Sequence, residues 1–594
     1  MSDGTARAED VEVGKTAAAG DECRVADGPP ANVRLPQGTA DVPPASSRGV
    51  SPRVGPGGET PPELAGADAC GTPAAARPLR PTNARWPHAG PFSWRTGSPP
   101  VGGYRIAVVA ALGLGWLWFG GQVVGSACRE FHLDEGWELT KAWMLQRGFS
   151  LYGEFWNDQP PLHTWVLSGL LAVPGAGTGL ARGVSLGMAT LLMGCVAWLV
   201  ARMAGFWGGV VAVVLVAGSA QVLLQCGAVM IGLPAYALGL ASVVCAWRWR
   251  ETGRGSLAVL SGVMAGLALQ TKLTAGLVIG ALVVQVLVWG WQAGAGEPRR
   301  AWARAVAGWV AGGVGAWGMV WARFPAMGAG LLVGGHFDEA NAGAFAEERY
   351  MQLDAMLRAD WPLWWWVIPG LWWCWVKRRE GGIFPLVLLV GSYAAHRLHR
   401  PFWFYYYLHL AVPLAWVSAV GVVRGGQWVV TRWAAADAVA GARWVTRAAA
   451  VAWCVGVGAM AMAVPERLVR EAAFAGRESP PEVEELIGKL RARGAETQWF
   501  YTDRPTYAFA ARLVMPPELV VVPQKRVRTG RMTEAELVAL LRRYRPEQMV
   551  LCGRELRGPG FAEWVAGGYR CEWRTEAFEY FVRKDLGATT GGGG

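Results

Sequence analysis

At 594 residues, with 52% hydrophobic and only 17% charged residues, the chain is too long for one ordinary soluble domain and too apolar for several in a row. Its 34 tryptophans and 80 glycines fit a polytopic membrane protein, because Trp collects at membrane interfaces and Gly lets helices pack closely. A net charge of +11 would suit nucleic acid, but the basic residues fall mostly in short loops between apolar runs, which is a signal of topology instead.

Residues 1–100 are rich in Pro, Gly, Ala and mixed charge, without apolar periodicity, and are expected to form a disordered tail. The apolar run 106–124 comes too late for an ordinary signal peptide, and Arg95 and Arg105 place its N-terminal side in the cytoplasm. Further runs of bilayer length lie at 179–200, 206–224, 229–247, 257–270, 276–291, 303–321, 362–375, 383–395, 402–423 and 448–464, so about eleven spans are expected. The basic loops WRWRETGRG, EPRRAWAR, VKRRE and the 424–447 connection all fall on the side of the N-terminus, and four loops thus agree on one topology. A transmembrane domain at 101–464 follows, with outer loops 125–178 and 323–361. The second of these carries HFDEANAGAFAEERY, which reads either as a lid or as a solvated amphipathic helix.

Beyond residue 464 the character changes. Amphipathic PPEVEELIGKLRARG, strand-like TQWFYT, then ELVVVP, helical TEAELVALLRRY and strand-like QMVLC predict a small extracytoplasmic α/β domain over 465–586, followed by a disordered 587–594 ending in TTGGGG. The ten cysteines show no CxxC pair and no metal-ligand spacing, so no metal site is inferred from them. Cys552 and Cys571 share the exported segment and could be a disulfide or two free thiols.

Chemistry gathers at the outer face. The loop FHLDEGWELTKAWMLQRGFSLYGEFWNDQPPL, residues 131–162, opens with adjacent acids. Asp134 could cap the helix-like LDEGWELTKAWMLQRG, with Glu135 and Glu138 favouring its dipole; a carboxylate fixed beside the bilayer could equally serve as a general base. In WNDQPPL, Trp156, Asp158 and Gln159 are candidate substrate contacts, although Asp158 and Gln159 would also simply solvate the turn before Pro160 and Pro161. Lys272, in GLALQTKLTAG at the outer end of the fifth span, either snorkels to the interface or holds a phosphate as a compact cation. In HRLHRPFWFYYYLHLAVPLAW, His396, Arg397, His399 and Arg400 sit where the positive-inside rule disfavours cations, so a phosphate-binding wall competes with contacts to lipid headgroups. Tyr405, Tyr406 and Tyr407 read as an aromatic belt or as substrate contacts. RPTYAFAAR in the soluble tail reads as a helix packed on the small domain or as a glycan contact.

Taken in order, DEGWELTKAWMLQRGFSLYGEFWNDQPPLHTWVL, GLALQTKLTAG and RPFWFYYYLHLAVPLAW resemble the C-type glycosyltransferase superfamily, particularly the bacterial family 39-like enzymes related to protein O-mannosyltransferases and to the aminoarabinose transferase of lipid A. The resemblance covers residues 105–464. It implies an all-α polytopic membrane fold of about eleven transmembrane helices, here followed by a small α/β soluble domain. It also implies a polyprenyl-phosphate sugar as donor, a lipid, glycan or protein as acceptor, and inversion at the anomeric carbon. Membrane lipids are then partners and nucleic acid is not; no cofactor is expected, a divalent-metal requirement stays open, and the location is the inner or plasma membrane. Asp134 matches the family's acid implicated in acceptor activation, with Glu135 beside it.

Two departures stand out. The aminoarabinose-transferring relatives carry Lys-Pro-Pro where this chain has Gln159-Pro160-Pro161, and many relatives place an acid early in the fourth span, where AVMIGLPAYAL offers Gly232. Lys272 would therefore meet the lipid phosphate or Asp134 in place of that acid. A transporter or flippase is a second class, although no internal repeat is visible and the charges cluster at one membrane face. A third is an inactive homologue acting as an envelope scaffold.

Overall fold

A computed structural model describes residues 103–587 apart from 221, 295–296, 329–350, 400–401, 436–441 and 554–555. The expected disordered tail, the HFDEANAGAFAEERY loop, Arg400 and the final TTGGGG lie outside the described residues. In chain order the first helices are α1 (Gly103–Val124), α2 (Leu133–Gln146), α3 (Leu162–Leu171), α4 (Thr178–Ala217), α5 (Val222–Gly227), α6 (Gly232–Thr252) and α7 (Gly255–Thr271). They continue with α8 (Gly276–Gln292), α9 (Glu297–Arg323), α10 (Met351–Ala359), α11 (Trp361–Val376), α12 (Ile383–Leu398), α13 (Leu408–Ala435) and α14 (Ala442–Ala475).

Each apolar run read from the sequence falls mainly on helix, the run 206–224 being interrupted after Ala217 and resuming at Val222. Among the described residues α1, α4, α8, α9, α13 and α14 are long and apolar enough to cross a membrane, and α7 and α12 are shorter apolar helices. The chain is a multi-pass membrane protein. The second and third runs begin the two arms of α4, which is not one continuous helix: it breaks at Gly205, where φ is 77° and ψ -176°, and folds back so that a β-carbon on Gly209 would lie 2.6 Å from the Ala197 carbonyl. α1 turns Leu114, Leu117 and Trp118 outward, as a lipid-facing helix does. α13 is central, buried along nearly all of its apolar length, with Trp416 enclosed. Close crossings depend on glycine: a β-carbon on Gly262 would run into the Trp309 carbonyl of α9, and one on Gly370 into the Val417 carbonyl of α13.

The segment after α14 builds α15 (Pro481–Ala492), β1 (Phe500–Thr502), α16 (Thr506–Ala511), α17 (Gln524–Arg528), α18 (Glu534–Tyr544), β2 (Gln548–Leu551), α19 (Pro559–Gly568), β3 (Tyr569–Arg574) and β4 (Glu579–Arg583). The sheet runs β1-β2-β4-β3, with β1 parallel to β2 and the other pairs antiparallel. Leu486 and Leu490 of α15 and Leu537 and Leu541 of α18 share one core with Phe500, Met549 and Val550 of the sheet. A capping box between Thr533 and Glu536 starts α18. ELVVVP forms one 3-10 turn at Pro517–Leu519, and prolines on both sides keep it out of the sheet. Cys552 and Cys571 are free thiols.

This domain is docked on the segment 125–178 that follows α1. Its core is continuous with Met144, Leu151 and Phe155 of that segment and with Phe324 at the end of α9. Arg129 pairs with Glu484, Glu130 pairs with Arg504, and Thr140 Oγ1 donates to the Pro505 carbonyl at 2.8 Å. RPTYAFAAR supplies α16, whose Tyr507 and Phe509 are buried; Phe509 packs in one cluster with Leu139 and Ala142 of α2.

Candidate functional site

Helix α2 separates the two adjacent acids. Its N-cap is His132, whose Nδ1 accepts the Asp134 N–H at 3.1 Å, so Asp134 stands in the first turn and is not the cap. Asp134, Glu138 and Lys141 recur at helical spacing along one face. Glu135 points the other way, fully buried. Its oxygens take both arms of the Arg182 guanidinium at 2.9 and 2.8 Å, plus the Phe131 and Val229 N–H groups at 2.8 and 3.2 Å. Arg182 also lies 3.6 Å from the Phe131 ring centroid and donates to the Cys128 carbonyl. Glu135 thereby clamps α2 to α4.

Asp134 keeps 26% of its side chain accessible, unlike the fully buried Glu135 beside it. Burial raises its carboxyl above the ordinary 3.8, opposed by His132 and Lys272. On the same face Lys141 Nζ donates to Glu138 at 2.7 Å and to Asn157 Oδ1 at 3.2 Å, and Asn157 donates to the Gln159 carbonyl at 2.7 Å. These buried contacts tie α2 to WNDQPPL. Asp158 pairs with Lys525 of α17, and the Trp156 ring underlies both Lys525 and Arg526 at 5.4 and 5.1 Å.

From the membrane side comes Lys272, the C-cap of α7. Its Nζ sits 4.4 Å from the Tyr405 centroid and 5.1 Å from that of Tyr406, both on the 3-10 turn Phe404–Tyr407. Among the described residues Lys272 makes no ion pair within 4.0 Å, although Asp134 is its largest favourable electrostatic neighbour. Tyr405 also feels Asp134. Asp134, Lys272, Tyr405, Tyr406, Trp156 and Asp158 therefore converge on one region at one end of the bundle.

Other candidates stand apart or are already engaged. Tyr407 donates to Asp360 at 2.7 Å in a buried network with Arg467. Arg397 pairs with Asp354 at 3.1 Å. His396 Nε2 meets His409 Nδ1 at 3.0 Å and stacks on Tyr406, while the His399 ring lies 6.1 Å from Tyr406. Two residues here escape sequence reasoning: Lys525, and His163, whose buried Nε2 has no hydrogen-bond partner among the described residues. For Lys525 the available signal is the cationic run QKRVRTGR itself. No group of three or more His, Cys, Asp or Glu side chains is placed to hold a metal among the described residues.

The family model described as dolichyl-phosphate-mannose-protein mannosyltransferase matches residues 158–311. The fold matches ArnT from Cupriavidus metallidurans in the apo state with a TM-score of 0.55 at 15% identity, covering 81% of this chain and 98% of that one. The same protein bound to undecaprenyl phosphate matches with a TM-score of 0.53, at the same identity and coverage. No curated protein sequence matches the chain. The shared fold is that of the C-type glycosyltransferases, and with the family match it marks the chain as a membrane glycosyltransferase.

Proposed function

We propose that this enzyme transfers a sugar from a polyprenyl-phosphate donor to a lipid, glycan or protein acceptor at the outer face of the inner or plasma membrane, with Asp134 as base. The N-terminus is then cytoplasmic and the α15–β4 domain extracytoplasmic, in keeping with the four basic loops. The observation that carries the reading is the placement of an accessible carboxylate, Asp134, beside the lysine Lys272 at the end of a bundle whose fold neighbour is solved with undecaprenyl phosphate.

The chemistry is a single displacement. Asp134 takes the proton of an acceptor O–H or N–H as the freed electron pair attacks the anomeric carbon from the face opposite the phosphate. The carbon–oxygen bond to phosphate breaks, the phosphate leaves with that pair, and the centre inverts. Lys272 meets the growing negative charge, and Tyr405 and Tyr406 hold its ammonium in place. Trp156, Asp158 and Gln159 are the remaining substrate contacts. His396 and His399 pack against Tyr406 of the tyrosine wall, and Glu135 acts by holding α2. The reaction as written calls for no cofactor.

The test is a donor scan on the purified protein in detergent, comparing wild type with Asp134→Asn over a panel of polyprenyl-phosphate sugars. Release of polyprenyl phosphate by wild type alone is expected. Silence toward every donor, with or without envelope extract as acceptor, would sink the reading and favour a transporter or an inactive scaffold.

A further inference from the structure

Lys525 is carried by the soluble domain, yet its ammonium ends among residues of the first outer loop. It pairs with Asp158, rides on the Trp156 ring, and lies within electrostatic reach of Asp134 and Lys141. Only 14% of its side chain is accessible. Placing an ammonium there is costly, and burial pushes its pKa down to about 7. The surrounding run QKRVRTGR holds four cations and no acid.

The charge balance of this region gives the cation a task. When a sugar leaves a phosphodiester, the phosphate passes from one negative charge to nearly two. Lys272 supplies one positive charge, and Lys141 is bound to Glu138 at 2.7 Å and to Asn157. Lys525 has three donors, so it can keep Asp158 and still give hydrogen bonds to a phosphate. Resting on the donor reading above, we infer that Lys525 is a further phosphate-binding residue of the active site, supplied by the soluble domain and acting with Lys272 on the departing lipid phosphate.

The probe is undecaprenyl phosphate itself, bound to the full chain in nanodiscs of neutral lipid, with melting temperatures taken for each variant. Lys525→Ala is expected to weaken binding about tenfold or more, and Lys525→Arg to keep most of it. The double variant Lys525→Ala with Asp158→Asn should stay weak, because neutralising Asp158 does not replace a phosphate contact. Wild-type affinity in Lys525→Ala, or its recovery in the double variant, would overturn the inference and leave the donor reading standing. A change confined to the acceptor KM would also overturn it. Failure of wild type to bind the probe would instead remove the donor reading, and this inference with it.

Discussion

Gly232 lies opposite Lys272: a β-carbon built on Gly232 would stand 3.8 Å from the lysine Nζ. An acid at this position, as in the relatives the sequence resembles, would sit within pairing range of that ammonium. Without it the cation is held over the Tyr405 ring and left available to a ligand.

Gly232→Asp is therefore expected to fold. No other heavy atom lies within 4 Å of the new β-carbon, and an acid in the first turn of α6 suits the helix dipole. It should raise the melting temperature, because a buried cation gains a partner. It should also weaken undecaprenyl phosphate binding about tenfold, because the new carboxylate occupies and repels at the same point. Unchanged binding would show that Lys272 does not face the phosphate.

A base works only when deprotonated. Asp134 is raised above 3.8 by burial, so kcat/KM should climb with pH through a limb above the ordinary carboxylate range and level off beyond it. Lys272 pulls that pKa down, so Lys272→Met should move the limb to still higher pH. Asp134→Asn should remove the limb together with about 10²–10⁴ of the rate. A pH–rate profile decides the matter, and a limb that ignores Lys272 contradicts the assignment.

The helical bundle is legible in the sequence because apolar runs near bilayer length mark its helices in local composition. The site is legible only where a single residue is chemically out of place, as Asp134 and Lys272 are at an apolar boundary. Asp134 and Glu135 look alike in one dimension. Helix geometry turns them roughly 100° apart, and the partner that fixes Glu135 is Arg182, 47 residues on. Lys525 is illegible for the same reason at longer range: nothing near QKRVRTGR says that it will meet Trp156 and Asp158. The β3–β4 hairpin escapes notice because its run mixes charged and aromatic residues, and β3 leaves much of its length exposed, with a register shift at Cys571 and Trp573.

Glu135→Gln separates support from chemistry. The change leaves the buried Arg182 guanidinium without its counter-charge and should cost about 3–5 kcal/mol, read as a lower melting temperature. Activity should fall only with the folded fraction, whereas Asp134→Asn should lose turnover at full stability. Adding Arg182→Met should restore part of the stability. A Glu135→Gln protein that melts like wild type but fails to turn over would place Glu135 in the chemistry.

Gly136 tests whether docking of the soluble domain matters to the site. A β-carbon there would lie 2.8 Å from the Thr506 backbone nitrogen of α16 and 2.8 Å from Glu130 Oε1, the acid that holds Arg504. Backbone cannot rotate aside as a side-chain tip can, so Gly136→Ala must push α16 away from α2. Within α2 itself the substitution favours the helix by about 1 kcal/mol, so any loss reports on docking and not on local helix formation. The connection at residues 476–480 should become more sensitive to limited proteolysis. Because Lys525 travels with the same domain, affinity for undecaprenyl phosphate should drop in parallel. Cleavage and binding both at wild-type levels would mean that α16 yields at no cost. Faster cleavage with intact binding would instead show that the lipid phosphate is held from the membrane side alone.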